Sequence, residues 1–135
     1  MRVALAALLG LALAANGVLM LAAPNFWYGT VPGVVDTGPF NPHFVRDGGC
    51  AYLVAGGALA AFAWDARARA AALAGSVFLA LHAAVHLSDA AAGRESLDHL
   101  VHDLPAVFAA PALALWLAWP RSRIRKEMSY ADMVD

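Results

Sequence analysis

Residues 71–89 read AALAGSVFLALHAAVHLSD, an apolar run that is long enough to lie in lipid and that ends in two histidines and an aspartate. A helix needs roughly 20 mostly apolar residues to cross about 30 Å of hydrocarbon. Three other stretches of the chain approach or reach that length. The sequence therefore predicts an all-α, up-and-down bundle of four transmembrane helices, at about residues 3–23, 45–64, 70–88 and 100–119.

The composition agrees with a membrane protein. Of the 135 residues, 61% are hydrophobic and only 14% are charged, which is well above the apolar share of a typical soluble domain. No linker or repeat divides the chain, so we expect one membrane domain over residues 1–135, with a tail over residues 120–135. The net charge of −1 gives no indication of a nucleic-acid partner. The single cysteine, Cys50, excludes an intramolecular thiol–disulfide relay.

Basic residues near helix ends predict the orientation, because positively charged loops tend to stay in the cytoplasm. With both termini inside, only Arg46 and Arg94 lie outside. The cytoplasmic residues are then Arg2, Arg67, Arg69, Arg121, Arg123, Arg125 and Lys126. The first apolar run follows Arg2 as a secretory signal would, but its length favours a spanning helix.

The segment between the first two predicted helices, PNFWYGTVPGVVDTGPFNP, is rich in proline and glycine. We expect it to be turn-rich rather than helical, and to cover the outer face as a long extracytoplasmic loop. Asn41 and Pro42 suit the start of the second helix, and Ser96 suits the cap of the last one. Pro105 and Pro111 should bend that last helix.

The five histidines all fall in the outer half of this topology. They also share helix faces with carboxylates, because residues three or four apart lie on one face. Each of three predicted helices carries such a stripe. The stripes are His43 with Asp47, then His82 and His86 with Asp89, and then His99 and His102 with Asp103.

Ionisable residues inside a membrane usually face the bundle interior and mark a site. Imidazole with carboxylate is a ligand set for a transition metal, with zinc or iron favoured here and copper as a further candidate. We expect an inner ligand shell of His82, His86, His102 and Asp103. Outer ligands or supporting residues would be His43, Asp47, Asp89 and His99. A catalytic ion there would activate water or dioxygen on an amphipathic or lipid-derived substrate.

Three other interpretations use the same residues. His43, Asp89, Asp98 and His99 would be solvated if they lie at the membrane interface. The histidines could instead be axial ligands of haem b in an electron carrier. Alternatively, the chain is a non-catalytic accessory subunit of a larger membrane complex, or a homo-oligomer, that docks partners on close-packing glycines. Those glycines are Gly48, Gly49, Gly56 and Gly57.

The order of NFWYGTVPGV, TGPFNPHFVRDGGCAYLVAG, LHAAVHLSD and DLPAVF along four short helices resembles a group of small bacterial integral membrane proteins of unassigned activity. The resemblance covers nearly the whole chain. It implies only the four-helix architecture and no catalytic residue. Separately, we expect the chain to lie in the bacterial inner membrane, with the lipid bilayer as its immediate partner.

Overall fold

The computed structural model describes residues 1–94 and 96–120, and within them it is all-helical, with no strand. A π-helical turn, Leu104–Ala109, joins the last two α-helices, and short 3₁₀ turns lie at Val34–Thr37 and Ala66–Ala68. The α-helices are α1 (Arg2–Ala22), α2 (Pro24–Thr30), α3 (Pro42–Trp64), α4 (Arg69–Ala91), α5 (Leu97–Asp103) and α6 (Ala110–Ala118).

Three of the described helical stretches are long and apolar enough to cross a membrane: Arg2–Ala22, Ala66–Ala91 and Asp98–Ala118. The all-α class and these three apolar helices are confirmed. Helix α3 has 23 residues, as many as α4, but its four glycines and its charged first turns make it less apolar. The predicted tail beyond residue 120, with its basic residues, lies outside the described part of the chain.

Helices α1 and α3 pack antiparallel with their backbones in contact. A Cβ placed on Gly56 would lie 2.4 Å from Ala14 N and 2.6 Å from Gly10 O. A Cβ on Gly17 would lie 2.6 Å from Gly49 O. Because lipid tails are as apolar as leucine, close approach of this kind, rather than hydrophobic burial, holds membrane helices together.

The remaining helices pack in chain order, α4 against α3 and α6 against α4. Small residues again allow the approach, since a Cβ on Gly75 of α4 would lie 2.8 Å from Ala55 Cα of α3. Leu59 and Leu79 fill the centre and are almost fully buried. At one end of the structure, the Arg2 guanidinium donates to Trp116 O and stacks on its ring, which ties α1 to α6.

The segment after α1 is more ordered than a turn-rich loop. The expectation that it is not helical is wrong, because Pro24 opens the short helix α2, a position where the fixed φ of proline suits a first turn. Trp27 Nε1 of α2 donates a 2.8 Å hydrogen bond to Asn16 Oδ1 of α1. This bond holds the segment against the bundle at the end opposite Arg2.

Both helix starts predicted from capping residues are confirmed. The Asn41 side chain accepts from the backbone N–H groups of His43 and Phe44 at the start of α3, and Ser96 accepts from His99 N at the start of α5. The interruption expected at Pro105 takes the form of the π-helical turn, in which Ala110 N bonds to Pro105 O. Proline has no backbone N–H, so the regular helical ladder cannot continue through it.

Candidate metal centre

Two histidines and an aspartate converge where the last turns of α4 face α5. His86 Nδ1 lies 2.7 Å from Asp103 Oδ2, and His99 Nε2 lies 3.4 Å from the same oxygen. One potential ligand atom from each of the three residues falls within 4.8 Å of the others. Among the described residues, this is the group whose donors are close enough to share one metal ion.

The three side chains are shielded from solvent. His99 and Asp103 are 8% and 7% exposed, and the His86 side chain is 13% exposed. A carboxylate is rarely buried without a charged partner or an ion. The buried Asp103 carboxylate is paired here with His86, whose Nδ1 lies 2.7 Å from Asp103 Oδ2.

The spacing of the donors suits a small transition-metal ion. Ligands about 2.0–2.2 Å from a tetrahedral ion lie roughly 3.3 Å from one another. The distances from Asp103 Oδ2 to the two imidazoles, 2.7 and 3.4 Å, bracket that value. Two imidazole nitrogens and one carboxylate oxygen also leave coordination positions open, as in catalytic zinc sites and in the facial triad of non-haem iron.

Local structure sets the positions of these ligands. His99 and Asp103 are four residues apart on α5, which places them on one helical face, and the Ser96 cap fixes where that helix begins. Gly33, with φ of +82°, lies against His99 from the segment after α2, so closely that a Cβ there would be 2.9 Å from Cε1. Three separate segments thus build the centre: α4, α5 and the turn at Gly33.

A line of aromatic rings extends from the centre toward the middle of the bundle. His86 stacks on His99, with centroids 6.2 Å apart and planes at 18°. On its other side, His82 meets His86 edge to face at 4.9 Å. Tyr52 of α3 then meets His82 edge to face at 6.1 Å. His82 therefore touches a member of the centre without belonging to the three-ligand group.

A polar cleft of about 290 Å³ borders the centre at His99. His99 forms part of its wall, so one face of this residue meets the buried group and another meets the cleft. The remaining lining comes from the segment after α2 and from the turn into α5. The lining residues are Pro32, Gly33, Asp36, Arg94, Ser96, Asp98, His99 and His102.

The other residues predicted from spacing lie elsewhere. His43 and Asp47 pair with each other at 3.3 Å on α3, with side chains 87% and 64% exposed. Asp89 accepts from Arg94 at 2.6 and 2.8 Å. His102 Nδ1 lies 2.9 Å from Asp98 O and is exposed. Of the predicted inner ligands, the structure brings together His86 and Asp103, and it adds His99 from the predicted outer set.

Sequence reasoning passed over two residues at this site. Tyr52 is the only phenol of α3 and stands among apolar residues, and a buried tyrosine usually finds a polar or aromatic neighbour. The position of Tyr52 among apolar residues could therefore have indicated a contact with a polar or aromatic side chain. Gly33 carried no comparable signal, because the sequence does not reveal which side chain a loop glycine will meet.

No protein family, curated protein or solved structure matches the chain. The interpretation of the centre therefore rests on its geometry and chemistry.

Proposed function

We propose that this chain is an integral membrane protein that binds one transition-metal ion, zinc or iron, through His86, His99 and Asp103 near the extracytoplasmic face. The observation that carries the proposal is the convergence of two imidazoles and one carboxylate, all largely buried, on one point between α4 and α5. Copper(I) is disfavoured, because no cysteine sulfur of the described residues is part of the group, whereas imidazole also suits copper(II), which stays a further candidate.

The membrane part of the proposal extends the three apolar helices to four spans. Helix α3 is the fourth span, because its small residues pack directly on α1 and α4 along the bundle. Large apolar side chains such as Leu8, Val54, Leu81 and Trp116 are exposed on different helices, as expected for surfaces that meet lipid. In this proposal the protein lies in a bacterial inner membrane with both termini in the cytoplasm, since Arg2 begins α1, Arg67 lies in the turn between α3 and α4, and Arg69 begins α4.

The polar cleft gives the ion a route from the extracytoplasmic side. Asp36 and Asp98 in its lining attract cations, and the charge of Arg94 is already balanced by Asp89. On the side of the aromatic rings that faces away from the cleft, by contrast, the bundle is filled by Leu59, Leu79 and the Ala-rich core. A substrate that reaches the ion through the cleft must be small or must insert only a head group, which is consistent with an amphipathic or lipid-derived molecule.

The structure favours an ion over haem at this position. A porphyrin between two axial imidazoles needs a slot that separates the rings. Here Asp103 Oδ2 lies close to both imidazoles, and the planes of His86 and His99 stack on each other.

The accessory-subunit alternative loses part of its docking surface, because Gly49 and Gly56 already pack against α1. Gly57, with nothing within 4 Å of an added Cβ, keeps a small open surface.

Metal content measured by mass spectrometry tests the proposal. The protein would be purified without a histidine tag, and its apo form reconstituted separately with zinc and ferrous iron. We expect about one ion per chain in the wild type and a loss of binding in His86→Ala, His99→Ala and Asp103→Asn.

The matched controls are His43→Ala and His102→Ala, which remove exposed imidazoles and should keep the ion. Size-exclusion profiles and helical circular dichroism would show that each variant remains folded. A wild type that takes up no ion under any of these conditions would overturn the metal proposal and return the histidines to a hydrogen-bonding role in an accessory subunit. An intense Soret band from the purified protein would instead establish haem.

A further inference from the structure

His82 is a polar residue inside the bundle that the three-ligand centre does not use. It lies on α4, one turn before His86, and is partly buried. A polar side chain at this depth is costly in a membrane and is rarely retained without a function. Its neighbours in the line of rings suggest what that function is.

The contact between His82 and His86 is one of ring packing. Their centroids are 4.9 Å apart and their planes stand at 75°, which is a favoured arrangement for aromatic pairs. Helical neighbours at i and i+4 face the same side, so His82 limits the rotation of the His86 ring toward the bundle interior. His99, stacked at 18° on another side of His86, limits it toward the outer end.

Tyr52 holds His82 in turn. It stands edge to face with His82 at 6.1 Å, with the planes at 82°. Tyr52 belongs to α3, which is packed through glycines against α1 and through Ala55 against α4. The orientation of His86 is thereby connected to the most tightly packed part of the bundle.

We propose that His82, seated by Tyr52, is a positioning residue that fixes the ring plane of His86 for metal binding and is not itself a ligand. This inference rests on the proposed metal-binding function. It also assigns α3 a part in the centre, through the Tyr52 ring, although the His43–Asp47 stripe of that helix points elsewhere.

Cobalt binding to the apo-protein tests the inference, because the visible spectrum of bound Co²⁺ reports its coordination geometry. His82→Phe keeps an aromatic ring but removes the ring nitrogens, whereas His82→Ala removes both the ring and its nitrogens. We expect His82→Phe to keep stoichiometric Co²⁺ and a spectrum close to that of the wild type. His82→Ala should weaken Co²⁺ binding by about 10- to 100-fold, the usual effect of removing a supporting residue behind a ligand, and should shift the visible bands.

Variants of Tyr52, which lies on α3, provide a second, independent test. Tyr52→Phe should leave affinity and spectrum unchanged, and Tyr52→Leu should change both in the direction of His82→Ala. His43→Ala is the matched control, since it removes an exposed imidazole on α3, the same helix as Tyr52, outside the cleft and the ligand group. Circular dichroism and size-exclusion profiles of every variant would verify folding.

The outcomes separate this inference from the proposed function. If the wild type binds Co²⁺ but His82→Phe loses it as completely as His86→Ala does, His82 is a ligand and the inference is overturned. If His82→Ala and Tyr52→Leu bind and absorb as the wild type does, the rings have no positioning role and the inference is also overturned. Absence of binding in the wild type would overturn the metal-binding function itself, whatever the variants show.

Discussion

His86 Nδ1 and Asp103 Oδ2 lie 2.7 Å apart although they belong to different helices, and both side chains are shielded from solvent. This contact links the last turns of α4 to α5. It also places a carboxylate between two imidazoles, and either a protonated imidazole or a bound cation balances its charge. A bound divalent cation would also join the two helices more firmly than the side chains do alone.

Zinc should therefore stabilise the wild-type protein and not the Asp103→Asn variant. A ligand that binds only the folded state at 100 times its Kd adds about 2.7 kcal/mol, and the neutral amide of asparagine is a much weaker zinc ligand than the anionic oxygen. The measurement is thermal unfolding in detergent with and without zinc. Asp47→Asn is the control, because Asp47 pairs with His43 on α3, outside the cleft, and its side chain is 64% exposed. An equal zinc response in Asp103→Asn would contradict the assignment of Asp103 as a ligand.

Gly33→Ala should weaken metal binding from outside the ligand set. The φ of +82° disfavours alanine, and the new methyl group would lie 2.9 Å from Cε1 of His99. Either the segment after α2 or the His99 ring must move, and we expect a loss of about 10-fold or more in zinc affinity, in the range found when a residue that supports a metal ligand is changed. Gly29→Ala is the control, since a Cβ there meets nothing within 4 Å. Unchanged affinity in Gly33→Ala would show that the turn does not position His99.

The sequence carried enough information to locate the apolar helices. Uninterrupted apolar runs predicted where α1, α4 and the α5–α6 stretch lie, the last of them with Ser96 as its cap, and the structure agrees with these positions. The segment after α1 was harder, because proline and glycine favour turns in general. The same Pro24 also suits a first helical turn, and the Trp27–Asn16 hydrogen bond that stabilises α2 is a tertiary contact.

The candidate site was predictable only in part, for reasons of helix geometry. Spacing shows which residues share a face, but it does not show which face a membrane helix turns inward when apolar residues surround it. Spacing therefore could not predict that the His43–Asp47 stripe points outward, as the structure shows. For α5 the signal was present: His99 and Asp103 share a face at i and i+4, whereas the adjacent His102 and Asp103 cannot.

Trp27→Phe should loosen the segment after α1 from the bundle. It removes the indole N–H that donates to Asn16 Oδ1 at 2.8 Å, and a hydrogen bond of this kind contributes about 0.5–1.5 kcal/mol. Trp64→Phe is the control, because Trp64 is the last residue of α3 and is 72% exposed. Hydrogen exchange of α2 amides would measure the effect. Faster exchange in both variants alike, or in neither, would contradict a specific role for the Trp27–Asn16 bond.

Gly56→Ala should destabilise the bundle, whereas Gly57→Ala should not. A Cβ on Gly56 would lie 2.4 Å from Ala14 N and 2.6 Å from Gly10 O, both backbone atoms that cannot rotate away, while a Cβ on Gly57 meets nothing within 4 Å. Overpacking typically costs about 1–3 kcal/mol, and separation of α1 from α3 would add lost contacts along both helices. Unfolding of the two variants in the same detergent measures the difference. Equal stability of Gly56→Ala and the wild type would mean that α1 and α3 do not approach through these glycines.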